Sequence, residues 1–307
     1  VRVVLSGIFY PFAMLSFFWR ALERREDVEL CTVGPFTGTW IPWNHSMDLS
    51  PKYVRTPTVP LPKEAIQQQL PAKFVENLLP GKFKSPDLWL QVDAGWHVTT
   101  KPEATVVALV KTDPHAIPKK YYDIPASYSD RVFTMQTPYL IPGEFYLPYA
   151  YDPEIHYPMK EVKKKYDVCM VGLLYPERKR ILDMAKARGL STYYSIGEVY
   201  DEYRLRYNES RCAINWSSAK DLPTRVFEYA AMGIPMVTNR VPDLNTFFVE
   251  KDHFLGADTI EEAMEQIMFI IENPEEANKM AYAAQRKVKA HTWKHRINQV
   301  LEICKLV

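Results

Sequence analysis

Short apolar runs alternate with helical stretches along this chain, and the alternation starts twice. This rhythm is the strongest constraint on the fold, because strands separated by helices are placed side by side in a parallel sheet. The first series opens with "VRVVLSG", a buried strand ended by Gly7. A helix is expected from about Phe12 to Arg25, after Pro11, and "DVELCTV" is the second strand. Residues 38–85 are rich in breakers and read as an irregular, functional insertion. The pattern resumes with "PDLWLQVDA", "ATVVALVKT", "DRVFTMQTP" and "EFYLPYA" as strands. A proline-rich passage, "LPYAYDPEIHYPMK", reads as a linker.

The second series follows it. "YDVCMVG", "STYYSI", "RCAINWS" and "PMVTN" are strands, and "PERKRILDMAKARG", "EVYDEYRLRYNES" and "PTRVFEYAAM" are the helices between them. Three helices close the chain, with apolar residues at spacings of three and four. The last carries Trp293, Ile297, Val300, Leu301 and Cys304 as one apolar stripe that needs a partner. The expectation is two doubly wound α/β domains of similar design, 1–151 and 152–290, with residues 291–307 crossing back to the first. A length of 307 residues fits two domains.

Composition narrows the function. Net charge is +1 and the longest basic run is Lys163, Lys164 and Lys165, so neither a nucleic acid nor an anionic membrane is indicated. Cys31, Cys169, Cys212 and Cys304 are far apart and form no zinc or disulfide pattern, which points to a reducing, cytoplasmic setting. No apolar stretch is long enough for a membrane span. The segment "GIFYPFAMLSFFWRALERRE" lacks the charged leader and cleavage site of a signal peptide. The fingerprint GxGxxG is absent after the first strand, which argues against a dinucleotide-binding dehydrogenase.

The most informative stretch is "DLPTRVFEYAAMGIPMVTN", 221–239. Pro223 suits the first position of a helix, with Asp221 or Leu222 as cap. Val226, Phe227, Ala230 and Ala231 face the core, which leaves Thr224, Arg225 and Glu228 at the entry turns. A helix N-terminus attracts anions, and the planar fork of Arg225 suits phosphate. Glu228 suits sugar hydroxyls. Phosphate beside sugar is the surface of a nucleotide. Gly233 lets the following strand turn sharply against the helix. A capped core helix with one Arg–Glu surface pair is the alternative.

The segments "YDVCMVGLLYPERKRIL" (166–182), "CAINWSS" (212–218), "DLPTRVFEYAAMGIPMVTNRVPDL" (221–244) and "HTWKHRI" (291–297) resemble group 1 glycosyltransferases of the GT-B fold. Within them the likeness is to the spore-maturation-protein (CgeB-like) branch. The first half matches only in general layout. The resemblance implies two Rossmann-like domains facing each other across a cleft, with a nucleotide-diphosphate sugar in the second and an acceptor in the first. It implies that Glu228 binds the ribose and that Arg178 or Lys179 meets the diphosphate. It further implies that the stretch Ile196 to Tyr200, with Gly197 and Glu198, borders the base, and that Gly7 closes on the sugar phosphate. Asn215, Pro223 and Thr224 complete the implied donor site. One departure is that Lys220 stands where the broader family often has a first glutamate, eight residues before Glu228.

Other candidates follow strands of the first domain. Asp113 and His115, in "KTDPHAIP", would orient the acceptor or the donor sugar at a strand's carboxyl end. His97 is a second candidate there. His45, Trp40 and Trp43 would touch acceptor or stack on a ring. Asp-x-Asp is absent throughout, which fits an enzyme without metal or other cofactor that stabilises its leaving diphosphate with Arg178 and Arg225. The expected activity is transfer of a sugar to an acceptor hydroxyl, on a glycan or small molecule, with retention of configuration. The alternatives are a glycosyltransferase acting on a modified nucleic-acid base and a non-catalytic nucleotide-sugar-binding relative.

Overall fold

A computed structural model describes residues 1–41, 45–46, 49–68 and 70–307, and only the backbone of residues 40, 41, 45 and 46. Trp43 and the side chains of Trp40 and His45 therefore lie outside the described residues. The chain divides into two compact units, residues 1–148 with 293–307, and residues 149–292. No helix among the described residues is long and apolar enough to cross a membrane.

The first unit holds β1 (Arg2–Ser6), β2 (Glu29–Pro35), β3 (Trp40–Ile41), β4 (His45–Ser46), β5 (Val59–Leu61), β6 (Leu88–Val92), β7 (Val106–Lys111), β8 (Arg131–Thr134) and β9 (Phe145–Tyr146). Its helices are α1 (Met14–Glu23), α2 (Ala72–Leu78) and α3 (Lys120–Tyr128). Seven strands form one parallel sheet in the order β5-β2-β1-β6-β7-β8-β9, while β3 and β4 pair as a small antiparallel ribbon. Val3, Val4 and Leu5 of β1 and Val107 to Val110 of β7 are wholly buried. Such uninterrupted burial is expected of strands covered on both faces. The breaker-rich stretch 38–85 is more regular than its composition suggests, because Ala72 and Val75 of α2 pack under β2 with Val33 and Trp89.

Gly7, just after β1, has φ of +151°. A Cβ there would stand 2.5 Å from Leu15 Cδ1 and 2.7 Å from the Val92 carbonyl oxygen. Glycine thus lets the end of β1 pass between α1 and the end of β6.

The second unit contains β10 (Tyr166–Val171), β11 (Thr192–Ser195), β12 (Ser210–Asn215), β13 (Met236–Asn239) and β14 (Leu255–Ala257). They form a parallel sheet in the order β11-β10-β12-β13-β14. Its helices are α4 (Pro176–Ala187), α5 (Tyr200–Asn208), α6 (Thr224–Met232), α7 (Leu244–Phe247), α8 (Ile260–Glu272) and α9 (Pro274–Val288). Ile181, Ala185, Ala263, Met264 and Ile267 carry the apolar faces of α4 and α8 into one core against the sheet. Helix α6 ends as its glycine requires: Gly233 has φ of +67°, and the Ile234 N–H bonds the Tyr229 carbonyl at 3.1 Å.

The last helix, α10 (Trp293–Ile303), belongs to the first unit. Trp293 stacks on Phe17 of α1 with ring centroids 5.6 Å apart. Arg296 and Gln299 bond the carbonyls of Pro148 and Tyr146, each at 2.8 Å. The whole stripe Trp293, Ile297, Val300, Leu301 and Cys304 is buried.

Candidate functional site

In an open parallel sheet, ligands sit outside the carboxyl ends of the strands where the strand order reverses. In the second unit that point lies between β10 and β12. Gly172 follows β10 directly, with φ of +137°. A Cβ on it would lie 3.3 Å from both terminal nitrogens of Arg225, so the guanidinium rests against the bare glycine backbone. Arg178, on α4, is buried. Its Nε donates to the Trp216 carbonyl at 2.7 Å and its Nη1 to the Leu173 carbonyl at 2.9 Å. It therefore ties the loop after β10 to the loop after β12, and its guanidinium lies over the Tyr175 ring at 4.9 Å.

Two guanidinium groups thus meet at the switch point. Burial, and then the charge of Arg225, lower the pKa of Arg178. Arg225 Nη1 is buried without a hydrogen-bond partner. Arg225 is half-buried and the charge of Glu228 already acts on it, but a buried donor left unfilled is costly unless an acceptor joins it.

Helix α6 begins one residue later than its proline suggests. Pro223 is the cap, in extended geometry (φ −81°, ψ 161°), and Thr224 is the first helical residue. Proline has no N–H, so the helix-entry amides are those of Thr224 and Arg225. The preceding loop is pinned from two sides. Asn239 exchanges two 2.8 Å bonds with the backbone of Ser217, and the Asp221 N–H donates to Ser217 Oγ at 2.9 Å. Lys220 is exposed, with φ of +55°.

Glu228 stands one turn into α6 and is buried. Its Oε2 accepts from the Tyr203 hydroxyl at 2.6 Å. Its Oε1 lies 3.4 Å from His156 Nε2 and 3.5 Å from Thr224 Oγ1. Asn215, at the end of β12, is fully buried, bonds Thr238 at 2.8 Å and leaves its Oδ1 without a partner.

The remaining donor-site candidates are spread wider. Lys179 is exposed and pairs with Asp183 at 2.5 Å. Gly197 (φ +90°) faces open space, on the loop after β11. Glu198 accepts from the Tyr193 hydroxyl at 2.5 Å and from Arg206 Nε at 3.2 Å. Tyr200 is buried with φ of +54°, a strained conformation for an aromatic residue.

The first unit reverses its strand order between β1 and β6. Gly7 stands there with Asp93, which follows β6 and has φ of +69°. Burial, opposed by a bond from the Ala94 N–H and reinforced by the nearby charge of Asp113, raises the Asp93 pKa to about 6. Its Oδ1 accepts from that amide at 2.6 Å and faces the Tyr122 hydroxyl at 3.4 Å. Burial and the same two carboxylates push Tyr10 and Tyr122 upward. Asp113 opens a tight turn, its carbonyl accepting from Ala116 and Ile117 at 3.0 and 2.9 Å. His115 sits in that turn, its ring 6.3 Å from that of Tyr139. Burial lowers the pKa of His97.

Sequence reasoning passed over Asp93, Tyr203, His156, Gly172 and Trp216. Asp93 carried one signal, a carboxylate directly after a buried strand. The others carried none, since each acts through a partner distant in sequence.

Residues 156–302 match the family described as glycosyl transferase-like. Curated protein sequences give no match. Among solved structures, HepE from Anabaena in complex with UDP and glucose aligns over 100% of both chains, with a TM-score of 0.66 and 9% identity. Sucrose-phosphate synthase from Thermosynechococcus elongatus covers 99% of this chain and 98% of its own, with a TM-score of 0.64 and 12% identity. A glycosyltransferase from Rickettsia africae covers 99% and 97%, with a TM-score of 0.62 and 10% identity. The fold is that of the GT-B glycosyltransferases, with two Rossmann-like units.

Proposed function

We propose that the protein transfers a sugar from a nucleoside-diphosphate sugar to an acceptor hydroxyl, without a metal ion and with retention of configuration. One observation carries the reading: Arg178 and Arg225 converge at the switch point of the second unit, and Arg225 Nη1 is buried without a partner. The diphosphate occupies that position, against both arginines and the amides of Thr224 and Arg225. As the bond to the sugar breaks, negative charge grows on the leaving oxygen. Fixed cations in a dry site stabilise that charge more than they stabilise the bound substrate. Here they take the part that a metal ion plays elsewhere.

Glu228 accepts from the ribose hydroxyls, and the loop 196–200 borders the base. Asn215 supports the donor at the end of β12. The first unit receives the acceptor, with Asp113 or His115 orienting it. UDP, bound by the Anabaena neighbour, is the first nucleotide to try. The motif likeness to the spore-maturation-protein branch supports a place for the chain there.

The test is an assay of nucleoside-diphosphate release across a panel of nucleotide sugars, with and without EDTA. The reading predicts turnover of at least one donor, undiminished by chelation and lost in Arg225→Ala. Absence of both binding and turnover across the panel would overturn it.

A further inference from the structure

The donor site contains a carboxylate whose orientation is fixed before any ligand arrives. Glu228 Oε2 accepts the Tyr203 hydroxyl at 2.6 Å, a short charge-assisted bond. Its Oε1 is held differently. Thr224 Oγ1 lies 3.5 Å away, but its single proton goes to the Ala150 carbonyl at 2.8 Å. His156 also faces it, with Nε2 at 3.4 Å, long for a hydrogen bond.

One backbone contact assigns the His156 tautomer. The Asp152 N–H donates to Nδ1 at 3.2 Å, so in the neutral ring the proton sits on Nε2, directed at Glu228. The backbone holds the ring there. The His156 N–H bonds the Asp152 carbonyl at 2.8 Å, and Arg204 Nη1 of α5 clamps the Ile155 carbonyl at 2.9 Å. The His156 and Tyr203 rings meet edge to face at 6.0 Å. Three side chains from a loop and two helices thus form one unit, and Oε1 keeps acceptor capacity for an incoming hydroxyl.

We propose that Tyr203 and His156 are positioning residues for Glu228, and that this triad sets a preference for ribose over deoxyribose in the bound nucleotide. The inference rests on the donor-site reading above. A glutamate free to rotate would lose on the order of tenfold in affinity on being ordered by ligand. Held by Tyr203 and His156, it meets the ribose hydroxyls with that cost already met in folding. The gain appears only for a ligand that has those hydroxyls.

Isothermal titration of the full chain with the four common ribonucleoside diphosphates, and with the 2′,3′-dideoxy counterpart of the one that binds, tests this. The wild type should favour the ribonucleotide by about tenfold to a hundredfold. Tyr203→Phe and His156→Gln should each cut that ratio by about fivefold or more, and leave affinity for the dideoxy nucleotide within about twofold. In turnover, the donor KM should rise while kcat holds. A merely structural role would lower both affinities together, and that result overturns the inference. Retention of the wild-type ratio in both variants overturns it as well, while leaving the donor-site reading intact. Failure of the wild type to bind any of the four removes the donor-site reading and this inference with it.

Discussion

The two parallel sheets obey the same rule for placing a ligand, yet their carboxyl ends carry opposite charge. At the switch point of the second unit, Arg225 rests against the backbone of Gly172 and its charge reaches Arg178, which bonds the Trp216 and Leu173 carbonyls. At that of the first, Asp93 and Asp113 lie among the hydroxyls of Tyr10 and Tyr122. The difference shows how one architecture builds two chemically distinct strand ends. Topology supplies a crevice, and the few side chains that close it decide what enters. A cationic crevice suits a diphosphate. An acidic one suits a group that donates hydrogen bonds, as a sugar hydroxyl does.

The largest expected effect lies on the cationic side. Arg225→Ala should lower kcat by about a hundredfold to a thousandfold, the usual loss on removing one donor to a developing anion. Steady-state kinetics should show a smaller change in KM. Arg225→Lys should recover only part, because a point charge does not replace a planar fork. An unaltered kcat would place the diphosphate elsewhere and dissolve the contrast.

Glu228→Ala comes next. Donor affinity should fall about tenfold to a hundredfold, as for a charged hydrogen bond. The variant should also lose about 1–3 kcal/mol of stability, since the Tyr203 hydroxyl and His156 Nε2 are left facing a void. Titration with nucleotide and chemical denaturation read the two effects apart.

On the acidic side the expected effect is on stability. The raised pKa of Asp93 means that the folded chain keeps a proton the unfolded chain has released. Its contribution is therefore fully present below about pH 4 and lost as pH rises through about 6. The loss is up to about 3 kcal/mol. Asp93→Asn should remove that pH dependence and be more stable than the wild type at pH 8. Denaturation at pH 5 and pH 8 checks the sign. The smallest effect belongs to Lys179→Ala. Its side chain is exposed and paired with Asp183, so turnover should change by less than about twofold.

Much of this is legible in the sequence. The alternation of apolar runs and helices fixed both sheets as parallel, and Gly233 marked the end of α6. Pro223 reads in the sequence as the first helical residue, but its extended ψ makes it the cap. Arg178 and Lys179 could not be separated in sequence. They are neighbours, but about 100° apart around the helix, so one is buried and the other exposed. Asp93 escaped notice because its raised pKa comes from burial and from Asp113 on the next strand's loop. His156 escaped because its role depends on Glu228, which only the fold brings within 3.4 Å.

The central claim is that a diphosphate binds at the cationic switch point of the second unit. Isothermal titration with nucleoside diphosphates tests it most directly, using the wild type, Arg225→Ala and Asp93→Asn side by side. The account predicts binding by the wild type, a loss of about tenfold or more in Arg225→Ala, and wild-type affinity in Asp93→Asn. Equal affinity in the wild type and Arg225→Ala, or a loss confined to Asp93→Asn, would contradict it.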